Sequence, residues 1–205
     1  MVTDTLYAPF LDPKYKDFTS RLSTSDTLPR AGIRIPILRQ LAKEIEWRDY
    51  EIKWHEDVIL IGLAIGVSGL SPKEKVEELK TILPYLSTWD QTDIIMTVFK
   101  LKKNNKDVYL PFFTSLLEDE RVFPKRMGIV WLMSNRKGLD RDETLKRIIS
   151  SDDENQYYIS MAVAWAFSFF YIDDPETRIY LEKLSPKTRK LAERKIRESR
   201  RSKPL

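Results

Sequence analysis

Five prolines set the frame of this chain. Pro36, Pro72, Pro124, Pro175 and Pro186 each stand just ahead of a stretch in which apolar residues recur every three or four positions. A proline in the first turn of a helix gives up an N–H that has no intrahelical partner, and it blocks a helix arriving from upstream. The helical period itself is visible in Ile37, Leu38, Leu41 and Ile45, and strand-like alternation is scarce. Capping residues reinforce the punctuation: Ser71, Asp174 and Ser185 precede three of the prolines, and Ser71 with Glu74 spells a capping box.

These signals predict helices over 36–46, 55–67, 72–83, 87–100, 106–118, 124–136, 140–150, 154–171, 175–184 and 186–201. Short connections imply antiparallel neighbours. Helices pairing off at intervals of about 30 to 40 residues match two-helix repeats of the HEAT or armadillo kind, with a globular all-α bundle as the alternative. Residues 1–35 read differently. Pro9, Pro13, Pro29 and the polar run Ser23-Thr24-Ser25-Asp26-Thr27 leave room for one short helix, from about Pro13 to Leu22. The expected organisation is a single repeat domain over 1–205, with 1–35 a shortened N-terminal segment and 36–205 the helical repeats.

Charge narrows the partners. The net charge of +4 is modest over 205 residues, but the basic residues gather near the end. From Lys183 to Lys203 ten lysines and arginines face only Glu193 and Glu198, an excess that favours a polyanion, nucleic acid foremost, over a merely solvated helix face. The chain has no cysteine, which excludes disulfides, thiolate chemistry and cysteine-ligated zinc. The N-terminus lacks the pattern of a signal peptide, and the apolar run from Val58 to Val67 is too short to span a bilayer. A soluble, cytoplasmic protein is expected.

Several chemistries drop out. The one histidine, His55, stands at a helix start, where a solvated or capping role is expected. With no second histidine, neither a histidine-based triad nor a zinc deaminase site can be assembled. Gly62-Leu63-Ala64-Ile65-Gly66-Val67-Ser68-Gly69 lacks the Rossmann spacing and reads as close helix packing ending in a glycine stop; no P-loop is present. No metal and no cofactor are expected.

What remains is Trp89 and Asp93, four residues apart and so on one helix face. An indole beside a carboxylate suits a cationic guest, while a core tryptophan next to a solvated acid is the ordinary alternative. Lys125 and Arg126 open another helix. Trp165 sits between Ala164 and Ala166 in a helix apolar nearly all round.

Taken in order, these segments resemble a known family. Gly32-Ile33-Arg34-Ile35-Pro36 with Arg39-Gln40-Leu41-Ala42-Lys43, Trp54-His55-Glu56, Trp89-x-x-x-Asp93, Lys125-Arg126-Met127-Gly128-Ile129-Val130, Met161-Ala162-Val163-Ala164-Trp165-Ala166 and Lys195-Ile196-Arg197-Glu198-Ser199-Arg200-Arg201 look like the AlkD family of DNA alkylation repair proteins. These are HEAT-like repeat DNA glycosylases, and the resemblance runs from about residue 32 to residue 201. It implies an all-α fold, a right-handed superhelical array of antiparallel HEAT- or armadillo-like helix pairs. It further implies a monomer that binds duplex DNA in a basic concave cleft and hydrolyses the N-glycosidic bond of cationic N3- or N7-alkylpurines.

Carried over by resemblance, Asp93 matches the catalytic aspartate and Trp89 and Trp165 the cleft tryptophans. Arg126 matches the backbone-binding arginine, with Lys125 as the neighbouring candidate, and Arg197, Arg200 and Arg201 fall in the basic last helix. An alkylated purine is already a cationic leaving group, so the developing oxocarbenium sugar needs a carboxylate and a positioned water rather than a general acid. The segment before Gly32 departs from the family, whose active members have a fuller N-terminal helical pair. A non-catalytic paralogue that binds DNA weakly, or serves as an interaction scaffold, is therefore the alternative; a purely protein-binding adaptor ranks last.

Overall fold

The computed structural model describes residues 3–22 and 26–199, and every regular element among them is helical. The helices are α1 (Thr3–Tyr7), α2 (Pro13–Ser20), α3 (Ile35–Leu41), α4 (His55–Val67), α5 (Pro72–Ile82), α6 (Trp89–Ile95), α7 (Lys106–Ser115), α8 (Val122–Asn135), α9 (Arg141–Ser150), α10 (Tyr157–Asp173) and α11 (Pro186–Glu198). Short 3₁₀ segments continue or link several of them. The chain divides into two compact units, Met1–Phe99 and Lys100–Leu205. In each, helices pack against their next and next-but-one neighbours in sequence, the adjacent pairing of an α-solenoid.

Local chemistry explains most boundaries. Ser71 and Glu74 form the expected capping box at α5, with Ser71 N donating to Glu74 Oε2 at 2.8 Å and Glu74 N to Ser71 Oγ at 3.3 Å. Ser185 accepts from Thr188 N at the start of α11. Asp174 accepts from Glu176 N as a cap should, yet Pro175–Lys183 winds as a 3₁₀ helix rather than the expected α-helix. α8 begins at Val122, two residues before Pro124, so that proline sits inside the first turn, where its missing N–H still costs nothing. α6 is shorter than expected, ending at Ile95. Immediately beyond, the Thr97 hydroxyl donates to the Ile94 carbonyl at 2.6 Å, a local bond that competes with helix continuation.

In the first unit, α4 is buried from His55 to Ile65 and packs against α3, α5 and α6. Gly62 and Gly66 permit that closeness, because a Cβ on either would lie 2.6 Å from Ile95 or 2.2 Å from Val98. The expected glycine stop does not form. α4 ends with Ser68 in an extended conformation, and among the described residues only Gly32 has positive φ, at 91°. There a Cβ would meet the Asp12 carbonyl at 2.8 Å, where α2, capped by Asp12 on Tyr15 N, crosses the chain. In the second unit α8 is the buried axis, lying against α7 and α10. Its Trp131 stacks on Phe113 at 4.5 Å with Tyr109 edge-on. α10 is buried over most of its circumference, as its composition requires, and α11 buries Thr188, Ala192 and Ile196 against it. No helix among the described residues is long and apolar enough to cross a membrane.

Candidate nucleic-acid site

Trp89 and Asp93 belong to α6, in the first unit, and the start of that helix is held by Gln91, His55 and Asp90. Gln91 Oε1 accepts the backbone N–H of Ser87 at 2.8 Å and of Thr88 at 3.3 Å, fixing its amide so that Nε2 faces His55. That Nε2 donates to the His55 carbonyl and lies 3.3 Å from Nδ1, while His55 Nε2 is 3.1 Å from Asp90 Oδ2. The partners therefore assign the ring proton to Nε2. His55 does open α4 as expected, but it is buried at 1 % exposure and not solvated. The correction has a plain cause: Asp90 and Gln91 satisfy both ring nitrogens.

Asp90 has a second partner. Arg30, itself buried, donates from Nη1 to Asp90 Oδ2 at 3.0 Å and from Nε to Asp26 Oδ2 at 2.5 Å. Burial works to raise the Asp90 pKa, but the hydrogen bonds from His55 and Arg30 outweigh it and hold the carboxyl well below the usual carboxylate range. The neighbouring Glu56 is buried too, and its carboxylate accepts the backbone N–H of Ala31 and Gly32 at 2.8 Å and of Ile33 at 3.3 Å. Thus Gly32-Ile33 and Trp54-His55-Glu56, far apart in sequence, form one buried polar knot beneath the start of α6.

Above that knot the two acids of the Trp-Asp-Gln-Thr-Asp run part company. Asp90 is committed to the interior; Asp93 is half-buried and accepts the Thr92 hydroxyl at 3.0 Å. Trp89 is also half-buried, with its indole N–H 3.5 Å from the Leu22 carbonyl.

The remaining candidates lie in the second unit. Arg126 is buried, 4 % exposed, and its Nη1 donates to the Tyr158 carbonyl at 3.0 Å; Lys125 beside it is half-buried. Phe123 packs on the Tyr158 ring at 5.3 Å. Trp165 is half-buried, 6.0 Å from Phe169, whose ring carries the Arg136 guanidinium at 4.7 Å. On α11, Arg189 pairs with Glu182 and Glu193, and Arg194 and Lys195 each approach Glu198 at 3.7 Å. Arg197 is exposed with no ion pair among the described residues. Arg200 and Arg201 lie outside the described residues.

The residues that sequence reasoning missed are Arg30, Asp90 and Gln91, together with Glu56, quoted only as part of a motif. A signal existed in the cluster of polar residues at the head of the most apolar run, Trp54-His55-Glu56-Asp57 before Val58, since charged groups entering a buried helix need partners.

Compared with known proteins, residues 11–202 match the family described as DNA alkylation repair enzyme. No curated protein and no solved structure matches. With the match covering nearly the whole chain, and the family's role in DNA repair implying an interaction with DNA, this protein belongs to the DNA alkylation repair enzyme family.

Proposed function

We propose that the protein hydrolyses the N-glycosidic bond of cationic N3- or N7-alkylated purines in duplex DNA. The observation that carries this reading is the division of labour on α6: Asp90 is locked inward by His55 and Arg30, while Asp93 stands half-exposed on the face it shares with Trp89. As the bond from the sugar to the purine breaks, its electron pair leaves with the base and neutralises the alkylated ring. Positive charge develops on the sugar, and the Asp93 carboxylate opposes it electrostatically. A water oriented by Asp93 then adds to the anomeric carbon and gives its proton to the Asp93 carboxylate, which passes it to solvent, leaving an abasic site and a neutral free base. The electron-rich faces of Trp89 and Trp165 attract the cationic nucleotide. Lys125, Arg126, Arg197, Arg200 and Arg201 serve the phosphate backbone without reading sequence.

Excision of a cationic alkylpurine from a duplex, followed for wild type and Asp93→Asn, tests the proposal. Wild type should release base above the spontaneous rate, and the variant should lose roughly a hundredfold or more, the usual cost of removing one stabiliser of developing charge. Binding of undamaged duplex should be unchanged. Absence of release by wild type at high protein concentration sinks the glycosylase, and equal release by the variant removes Asp93 from the chemistry.

A second reading is a non-catalytic family member that binds DNA weakly or acts as a scaffold. Arg126 favours it, because a guanidinium buried on the Tyr158 carbonyl has a structural task independent of phosphate. In that case Arg126→Ala weakens folding without selectively weakening DNA binding.

A further inference from the structure

A strongly cationic concavity of about 580 Å³ lies at the C-terminal end of α8, lined by Lys100, Lys102, Lys103, Lys106, Arg136 and Lys137 with no acidic side chain among its walls. Arg126 is ten residues back along the same helix, about 15 Å by helical rise, so this is a different place from the basic pair that opens α8. The simple explanation for Arg136 and Lys137 is that cations at a helix C-terminus complement its dipole. It does not extend to the four lysines of the other loop, which sit at the opposite kind of helix end, where α7 begins at Lys106 and its first N–H groups add positive potential. The one acid in that first turn is Asp107.

Two features of this cluster favour a polyanion: the density of lysines without ion pairs around one concavity, and the fixing of the loops that carry them. Elsewhere in the same unit several arginines are paired with acids, as in Arg121 with Asp119, Arg141 with Asp142 and Arg147 with Glu143. Here Lys100, Lys102, Lys103, Lys106 and Lys137 have no ion pair among the described residues; only Arg136 does, with Asp173 at 2.7 Å. The loops are also built to hold still. Asn105, buried, accepts Lys102 N at 2.8 Å and donates to the Lys100 carbonyl at 3.0 Å, closing one loop. Asn135, also buried, accepts Leu101 N at 2.8 Å and donates to the Trp131 carbonyl, stapling that loop to the end of α8. At Gly138 a Cβ would sit 2.9 Å from Leu101, so the two loops meet closely. Like charges are thus crowded on a fixed frame, a cost that a polyanion relieves on binding.

We propose that the loops 100–106 and 136–138 form a contact for the phosphate backbone of duplex DNA, additional to the residues matched to the family's site. This rests on the reading that the protein binds duplex DNA and adds where a further part of the backbone is held. Each ammonium that replaces a condensed counterion steepens the salt dependence of binding.

The test is the affinity of the full chain for undamaged duplex over a series of salt concentrations, for wild type, Lys102→Gln with Lys103→Gln, and a control, Lys73→Gln with Lys80→Gln on α5. Both pairs are exposed, and thermal melts verify folding. The first pair should make the slope of log affinity against log salt shallower by about 1.8, the contribution of two phosphate contacts. The control should leave it unchanged. Binding by wild type with the same slope in the first pair overturns this contact while leaving the DNA-binding reading intact. Absence of duplex binding by wild type overturns both. Loss of binding to anionic phospholipid vesicles in the first pair, with the DNA slope unchanged, assigns the surface to a membrane and overturns it also.

Discussion

Asp90 and Asp93 are one helical turn apart and chemically identical, yet their surroundings give them unrelated tasks. Asp90 accepts from His55 and Arg30 within the first unit, so its folded-state pKa lies below the unfolded value near 4. A carboxyl depressed in this way contributes stability that is present above pH 4 and drains away as pH falls toward the folded value. Denaturant melts between about pH 5 and pH 2 should therefore show a steeper loss in wild type than in Asp90→Asn, whose amide does not titrate. If the two proteins lose stability in parallel, Asp90 is not the coupled group. Arg30 is the more demanding member. Removing it in Arg30→Ala leaves Asp26 and Asp90 facing each other without their shared cation, and a loss of about 3 kcal/mol in a urea melt is the expected scale. Partial solvation of both acids argues against a larger figure.

At the scale of elements, α4 and α8 are buried nearly all round, and glycine sets how near their neighbours come. A Cβ at Gly128 would lie 2.6 Å from the Phe113 carbonyl oxygen, and a backbone atom cannot swing aside as a side-chain tip can. Gly128→Ala should cost about 1–3 kcal/mol by overpacking, whereas Gly69→Ala, with nothing within 4 Å, should be close to neutral in the same melt. Much of this level was legible in the sequence. Prolines ahead of apolar periods and the Ser71 and Glu74 box located helices because capping is local chemistry, decided within four residues. The 3₁₀ winding of Pro175–Lys183 and the early end of α6 were not legible in that way, since the apolar period continues through both. The pairing of Trp89 with Asp93 on one face was visible from spacing alone. The knot beneath it was not, because Arg30, His55 and Asp90 meet only through contacts spanning 35 to 60 residues.

Across the whole molecule, charge is divided unequally. Residues 1–99 carry 12 lysines and arginines against 15 acids, whereas 100–205 carry 23 against 16, so the net charge of +4 is the difference between an acidic unit and a strongly basic one. A polyanion should be met chiefly by the second unit. Acetylation of the full chain with and without duplex, read lysine by lysine by mass spectrometry, should show protection at Lys102, Lys103 and Lys137 and little at Lys73 or Lys80. Uniform protection would mean that clustering is immaterial. The acidic unit has its own long-range fastening in Glu56, whose one carboxylate holds three successive amides of a segment in no helix. Such an irregular stretch would ordinarily exchange its amide hydrogens with solvent within moments. Here the amides of Ala31, Gly32 and Ile33 can exchange only when their bonds to Glu56 break, so an irregular segment should hold its hydrogens far longer than its lack of helix suggests.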